Sequence, residues 1–295
     1  MDNTINVKPK VKGHGTFILR DGWLNKGLVE MSKYGNERIF NAENATDIFG
    51  IGTNMVGALK YWMQAFDIIQ DRKGGGNELS ELGQIILEND SYLEDIFTIW
   101  IMHSSIVRNY KKASLFHDYF NDEKIQTIEK EQLLTVFNKK WNEHSIPEKS
   151  IKSDIDILFN TYCKEKINDD PEDKIVSPLV ELSLIKKSGI EYTKIQPDLR
   201  LLPDEVILYE LSNMFEREYA GELHIGKTIS IEKVAGGTYS LGCIYNLSKV
   251  ATNQMLNRLE NLKYIRVDRT AGLDVIYDEG IPRPIEIIKE YYKQR

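Results

Sequence analysis

The stretch over residues 43–87, ENATDIFGIGTNMVGALKYWMQAFDIIQDRKGGGNELSELGQIIL, constrains the fold more than any other part of the chain. Met55, Val56, Leu59, Trp62, Met63 and Phe66 recur at helical spacing. They predict a helix capped by Thr53 and reaching about Ile69. Gly50-Ile51-Gly52 separates it from a short helix over residues 44–49. Burying the apolar stripe leaves Asn54, Gly57, Lys60, Tyr61 and Gln64 on the outward face. A small residue among polar and cationic ones suits a helix that approaches a DNA groove. Next come Arg72-Lys73-Gly74-Gly75-Gly76-Asn77, a basic glycine-rich turn, and Glu78-Leu79-Ser80 as a return strand. Short helix, turn, longer helix and basic hairpin follow each other in winged-helix order, an order also used by protein–protein modules.

The C-terminal part repeats this logic. A helix starts at Pro203 and runs to about Glu218, and residues 239–247 read as a strand. Ser248 caps a helix with Met255, Leu256, Leu259 and Leu262 inward. Residues 264–277 then read as a hairpin with Gly272 near its turn, and Pro284 opens a last helix. Between the two modules, residues 92–120 predict a buried bundle through Tyr92, Leu93, Ile96, Phe97, Trp100, Ile101, Leu115, Phe116 and Tyr119. Residues 130–163 form a helix pair, a second helix-turn-helix pattern without a wing, whose second helix opens at Pro147. The fold class is therefore mainly α with small β-hairpins, in which multiple winged-helix-like modules are joined by a helical bundle. The expected domains are a flexible basic arm (1–12), an N-terminal winged-helix-like domain (13–90), a helical middle domain (91–163), a linker and docking segment (164–200) and a C-terminal winged-helix-like domain (201–295). Within the linker, KEKINDDPEDK at 164–174 predicts an exposed, mobile boundary.

Composition narrows the function classes. No apolar run approaches the roughly 20 residues that span a bilayer, and the basic N-terminus has no apolar segment behind it. Cys163 and Cys243 lie far apart and form no CxxC pair, which argues against a zinc site or disulfide framework. The expectation is a cytoplasmic protein with no membrane partner. A net charge of −7 argues against a nonspecific nucleic-acid coat, but the charge is uneven. Residues 1–40 carry a net +3 and residues 121–173 a net −5, so phosphate contacts should concentrate near the N-terminal module.

Several motifs together resemble the DUF4007 family of bacterial proteins. They are Gly13-His14-Gly15-Thr16-Phe17 with Arg20 and Trp23-Leu24, Gly50 to Val56 with Tyr61-Trp62, Tyr92-Leu93-Glu94-Asp95 with Trp100 and His103, Ser177-Pro178-Leu179, and Asp268 to Asp274. They stand in family order over about residues 13–278 and depart at Gly15, where an acidic residue is expected. The resemblance implies association with DNA phosphorothioation systems that defend against phage. One component of the single-strand form of those systems is a nicking DNA endonuclease, and proteins similar to this one are candidates for it.

The residues expected to bind DNA are His14, Arg20, Asn54, Lys60, Tyr61, Gln64, Arg72, Lys73 and, on the C-terminal wing, Arg269, which could instead pair with Asp274. Asn and Gln can read base edges while Lys and Arg neutralise phosphate. The weak catalytic candidates are Glu94, Asp95 and His103, because His103 follows Asp95 by two helical turns; helix capping and a buried hydrogen bond explain the same residues. Asp156 with Glu172-Asp173-Lys174 is a poor match to a nuclease pattern. No metal motif and no cofactor are evident; Mg or Mn enters only for a nickase. The expected partners are double-stranded DNA and other proteins of a modification or defence system, with a possible homodimer. A transcriptional regulator and a protein-assembly scaffold are the alternatives.

Overall fold

The computed structural model describes residues 7–35, 38–163 and 176–295. The acidic segment 164–174 lies outside the described residues. The chain divides into two compact units, Met1–Tyr119 with Gln126–Lys194, and Phe120–Ile125 with Ile195–Arg295. No described helix is long and apolar enough to cross a membrane.

The first unit opens with α1 (Trp23–Tyr34), α2 (Ala45–Phe49) and α3 (Thr53–Ala65). A hairpin of β1 (Ile69–Asp71) and β2 (Asn77–Leu79) follows, paired antiparallel with Ile69 opposite Leu79. Then come α4 (Glu81–Asn89), α5 (Ile96–Arg108), α6 (Ser114–Phe120), β3 (Thr127–Glu129), α7 (Lys130–Lys140) and α8 (Glu148–Tyr162). A 3-10 turn at Pro178–Leu182 leads into β4 (Ile185–Ser188) and β5 (Glu191–Lys194). These two strands join β3 in an antiparallel sheet of order β3-β5-β4.

Both ends of α3 differ from the expected ones. Gly52, in an extended conformation, is the cap, and Thr53 is the first helical residue. The helix stops at Ala65, because Asp67 takes a left-handed backbone (φ 56°) that reverses the chain into β1. The core forms around α3, which packs on α1 and sets Trp62 edge-on to Phe116 of α6, and around α5. Every side chain from Phe97 to Val107 is buried, as expected of a helix surrounded by protein. Trp62 is fully buried and its indole N–H donates to the Phe17 carbonyl at 3.1 Å. Residues 7–12, expected as part of a free arm, are tied down. The Lys10 amide donates to Ser114 Oγ at 2.7 Å, and the Lys12 amide to Asp154 Oδ1 at 2.9 Å. Tyr92, expected in the bundle core, is 70% exposed.

The second unit carries α9 (Asp204–Glu218), β6 (Thr228–Ser230), α10 (Ile231–Ala235), α11 (Leu241–Ile244), α12 (Lys249–Asn261), β7 (Ile265–Asp268), β8 (Val275–Asp278) and α13 (Pro284–Lys293). Ser248 caps α12, its hydroxyl accepting from the Ala251 amide. The strand expected over 239–247 is a short helix instead. Ser240 accepts from the Cys243 amide and starts α11 there, a local hydrogen bond that an extended segment could not make. The hairpin of β7 and β8 is present, and β6 adds a third antiparallel strand in the order β6-β8-β7. Leu262, expected inward, is 52% exposed beyond the end of α12.

Candidate nucleic-acid interface

Three glycines make the turn between β1 and β2. Gly74, Gly75 and Gly76 have φ of 97°, 97° and 85°, a region that residues with a Cβ rarely enter. A Cβ on Gly75 would also lie 2.6 Å from an Arg38 guanidinium nitrogen. Arg38 lies across the turn and donates to the Gly74 carbonyl at 2.6 Å. A cation 34 residues away in sequence thus joins exposed Lys73 and half-buried Arg72 on one hairpin. Sequence reading missed Arg38. Its only signal was a glycine run longer than a tight turn requires, which implies that something packs over it.

The face of α3 beside this hairpin is less open than expected. Asn54 and Gly57 are exposed, while Lys60 and Gln64 are half-buried. Lys60 Nζ lies 3.5 Å from Asn41 Oδ1 and 6.0 Å from the Phe40 ring centre. Gln64 donates to Asp71 at 2.9 Å, which also pairs with Lys112 at 3.3 Å, so its amide is used in holding the hairpin. Tyr61 points inward and is 7% exposed, a correction to the expected outward face. The reason is tertiary: residues 13–14 cover the side of α3 that periodicity leaves open. His14, also fully buried, sits with Nε2 3.1 Å from Asp154 Oδ1, its ring edge-on to Tyr61 and stacked near Trp62. Burial first, and the Asp154 charge second, push the Tyr61 phenol well above its ordinary value. His14 and Tyr61 are therefore buried side chains of the first unit.

At the end of α3, Asp67 accepts from Asn109 Nδ2 at 3.0 Å. Partial desolvation raises its carboxyl to about 6, against the opposing pull of Arg108 and Lys112, although the residue keeps contact with solvent.

Arg20 belongs elsewhere than the α3 face. It lines a cleft of about 480 Å³ with Asp21, Leu24, Tyr92, Glu94, Ser177 and Glu181, so three of the motif segments converge on one cavity. The Arg20 guanidinium lies 5.5 Å from the Trp23 ring centre, and its Nε is buried without a hydrogen-bond partner. The loop that carries Tyr92 and Glu94 is fixed from below. Asp90 accepts from the Glu94 amide at 2.8 Å, from the Asp95 amide at 3.2 Å and from the Thr98 hydroxyl. Leu93 is thereby held at φ 59°.

The three catalytic candidates do not converge. Asp95 caps α5, accepting from the Phe97 amide at 3.0 Å. His103 is fully buried, with Nδ1 2.6 Å from the Tyr162 hydroxyl. Glu94 alone reaches the cleft. Asp156 pairs with Lys130 at 2.7 Å on α8, and Glu172 to Lys174 lie outside the described residues. Arg269 donates to Asn253 Oδ1 of α12 at 2.8 Å rather than pairing with Asp274. Among the described residues, no group of three or more His, Cys, Asp or Glu side chains is arranged to hold a metal ion.

These features define a class: a mainly helical protein with small antiparallel sheets, carrying a basic hairpin and a separate polar cleft on its first unit. The chain belongs to the DUF4007 family, whose description reads "Protein of unknown function (DUF4007)" and whose model matches residues 11–292. Its fold is that of SspB. A crystal structure of magnesium-ion-bound SspB superposes with a TM-score of 0.84 at 21% identity, covering 96% of this chain and 88% of that one. A second SspB crystal structure gives 0.84 at 20% identity with the same coverage. No curated protein matches the sequence.

Proposed function

We propose that this protein is a DNA-binding component of a bacterial DNA phosphorothioation-type modification and anti-phage defence system, with α3 and the β1–β2 hairpin acting as a winged helix on duplex DNA. The observation that carries the reading is the hairpin itself, where Arg38 is seated over the glycine turn beside Arg72 and Lys73. Lys60 on α3 extends the basic edge, and exposed Asn54 supplies a side chain able to read a base edge. Family membership and the SspB fold support the setting. Nicking of DNA is the further activity this setting suggests, and no side chain is assigned to it.

The test uses the full chain with supercoiled plasmid, with and without Mg²⁺ or Mn²⁺, beside a binding assay on labelled duplex. Binding that weakens with salt, and is weaker with a flatter salt dependence in the Lys60→Ala, Arg72→Ala, Lys73→Ala triple variant, supports the reading. Metal-dependent conversion to open circles adds the nicking role. Absence of any duplex affinity defeats the proposal and favours a protein-assembly scaffold.

A further inference from the structure

The basic hairpin leaves the cleft on α1 unexplained. Its lining is unlike a phosphate site, because Asp21, Glu94 and Glu181 outnumber Arg20. Its volume, about 480 Å³, falls in the range of small-molecule pockets. Its groups suit a flat, polar, uncharged guest. Tyr92, 70% exposed at the rim, offers a ring face. Glu94 and Glu181 offer acceptors for exocyclic amines. Arg20 offers donors for ring nitrogens and carbonyls, and its buried Nε lacks a protein partner. The Asp90 hydrogen bonds and the strained Leu93 preorganise Tyr92 and Glu94 before any guest arrives.

The position of the cleft points to the source of the guest. The cleft begins at the N-terminal end of α1, and α1 also packs against β2 of the hairpin. The 12 residues of α1 at 1.5 Å each span roughly 18 Å, about five nucleotide steps of 3.4 Å along one strand. A strand held by phosphate at the hairpin is thus long enough to reach the cleft within a few nucleotides. We propose that this cleft receives a single unstacked nucleobase of the bound DNA, stacked on Tyr92 and held at its edge by Arg20 and Glu94. The proposal rests on the DNA-binding reading above and adds a readout of a base taken out of the helical stack.

The experiment measures the affinity of the full chain for three labelled duplexes: fully paired, with one bulged base, and with one abasic bulge. The expected result is binding to all three, with the bulged base about tenfold tighter than the abasic bulge. Tyr92→Ala, at an exposed position where folding is safe, should bring that ratio near one, and Glu94→Gln should lower it for some bulged bases more than others. Arg72→Ala with Lys73→Ala should weaken all three duplexes together. Equal affinity for bulged base and abasic bulge overturns the proposal even if duplex DNA binds well. Failure to bind any duplex overturns the DNA reading with it. A mononucleotide that binds as tightly as the bulged duplex makes the cleft a free-nucleotide pocket. A lysine-rich peptide that binds, with Glu94→Gln abolishing it and no base preference seen, makes it a protein-segment site; either result refutes a strand-borne base.

Discussion

The two helix-then-hairpin regions share an order of elements and differ in where their cations are placed. In the first, the hairpin of β1 and β2 stands alone as a two-stranded ribbon, and its glycine turn carries Arg38 beside Arg72 and Lys73. In the second, β6 pairs with β8 and makes a three-stranded sheet. There the arginines are engaged within the protein. Arg266 lies 3.9 Å from the Tyr277 ring centre and 3.1 Å from Glu279, and Arg269 is hydrogen-bonded to Asn253. A hairpin is thus a backbone pattern, and its surface character depends on where its cations are placed. The hairpin of β1 and β2 gathers Arg38, Arg72 and Lys73 around one turn, with Arg38 held by the Gly74 carbonyl, and that of β7 and β8 sets Arg266 against Tyr277 and Glu279 and Arg269 against Asn253.

The largest expected effects test a feature that both regions share, a helix glycine set tightly against neighbouring backbone. A Cβ on Gly83 of α4 would lie 2.1 Å from the Ile68 carbonyl oxygen, and one on Gly242 of α11 would lie 1.9 Å from that of Ala235. Neither neighbour is a flexible side chain that could swing aside. Gly83→Ala and Gly242→Ala should each destabilise by about 3 kcal/mol in urea unfolding. A cost below about 1 kcal/mol at either site would mean that region is loosely packed. The next effect separates the two hairpins. Adding Arg38→Ala to the Lys60, Arg72 and Lys73 triple variant should weaken duplex binding by about tenfold or more. Its log–log salt slope should flatten by about 0.9 for each phosphate that the protein no longer neutralises. Arg266→Ala with Arg269→Ala should change affinity by less than about twofold. The reverse ranking would move the DNA site to the second unit.

A smaller effect sharpens the account of how α3 turns into its hairpin. Asp67 has a folded value of about 6 against an ordinary 3.8. Its raised value means that the fold favours the protonated form. The associated stability is present below the ordinary value and is lost as pH rises through 6. Asp67→Asn keeps an acceptor for Asn109 and tolerates the left-handed backbone. It should therefore stabilise at pH 7 by about 1 kcal/mol once solvent screening of this partly exposed group is allowed for. The gain should vanish near pH 4 in parallel melts. An unchanged gain across that range would assign it to the backbone. The smallest effect is Arg269→Ala, whose exposed bond to Asn253 should cost within about 0.5 kcal/mol of stability.

Local chemistry was readable along the chain. The apolar period of α3, the Ser248 cap, both hairpins and the Pro284 start are consequences of interactions within a few residues, and periodicity reports them directly. The motifs that identify the family are equally local, and they span what the family match covers. Orientation was less readable. Tyr61 faces outward on a helical wheel but inward in the protein, because residues 13–14 pack on that side. Residues 239–247 have strand composition, yet Ser240 caps a helical turn instead. Arg38 reaches its turn across 36 residues to the Gly74 carbonyl. Likewise Arg20, Tyr92, Glu94 and Ser177 meet in a cleft although they come from three distant segments. The sequence by itself determined the helices, their caps and the family. Only the tertiary structure decided which cations face solvent and which motifs share a cavity, because those depend on packing between residues far apart in the chain, which no local period encodes.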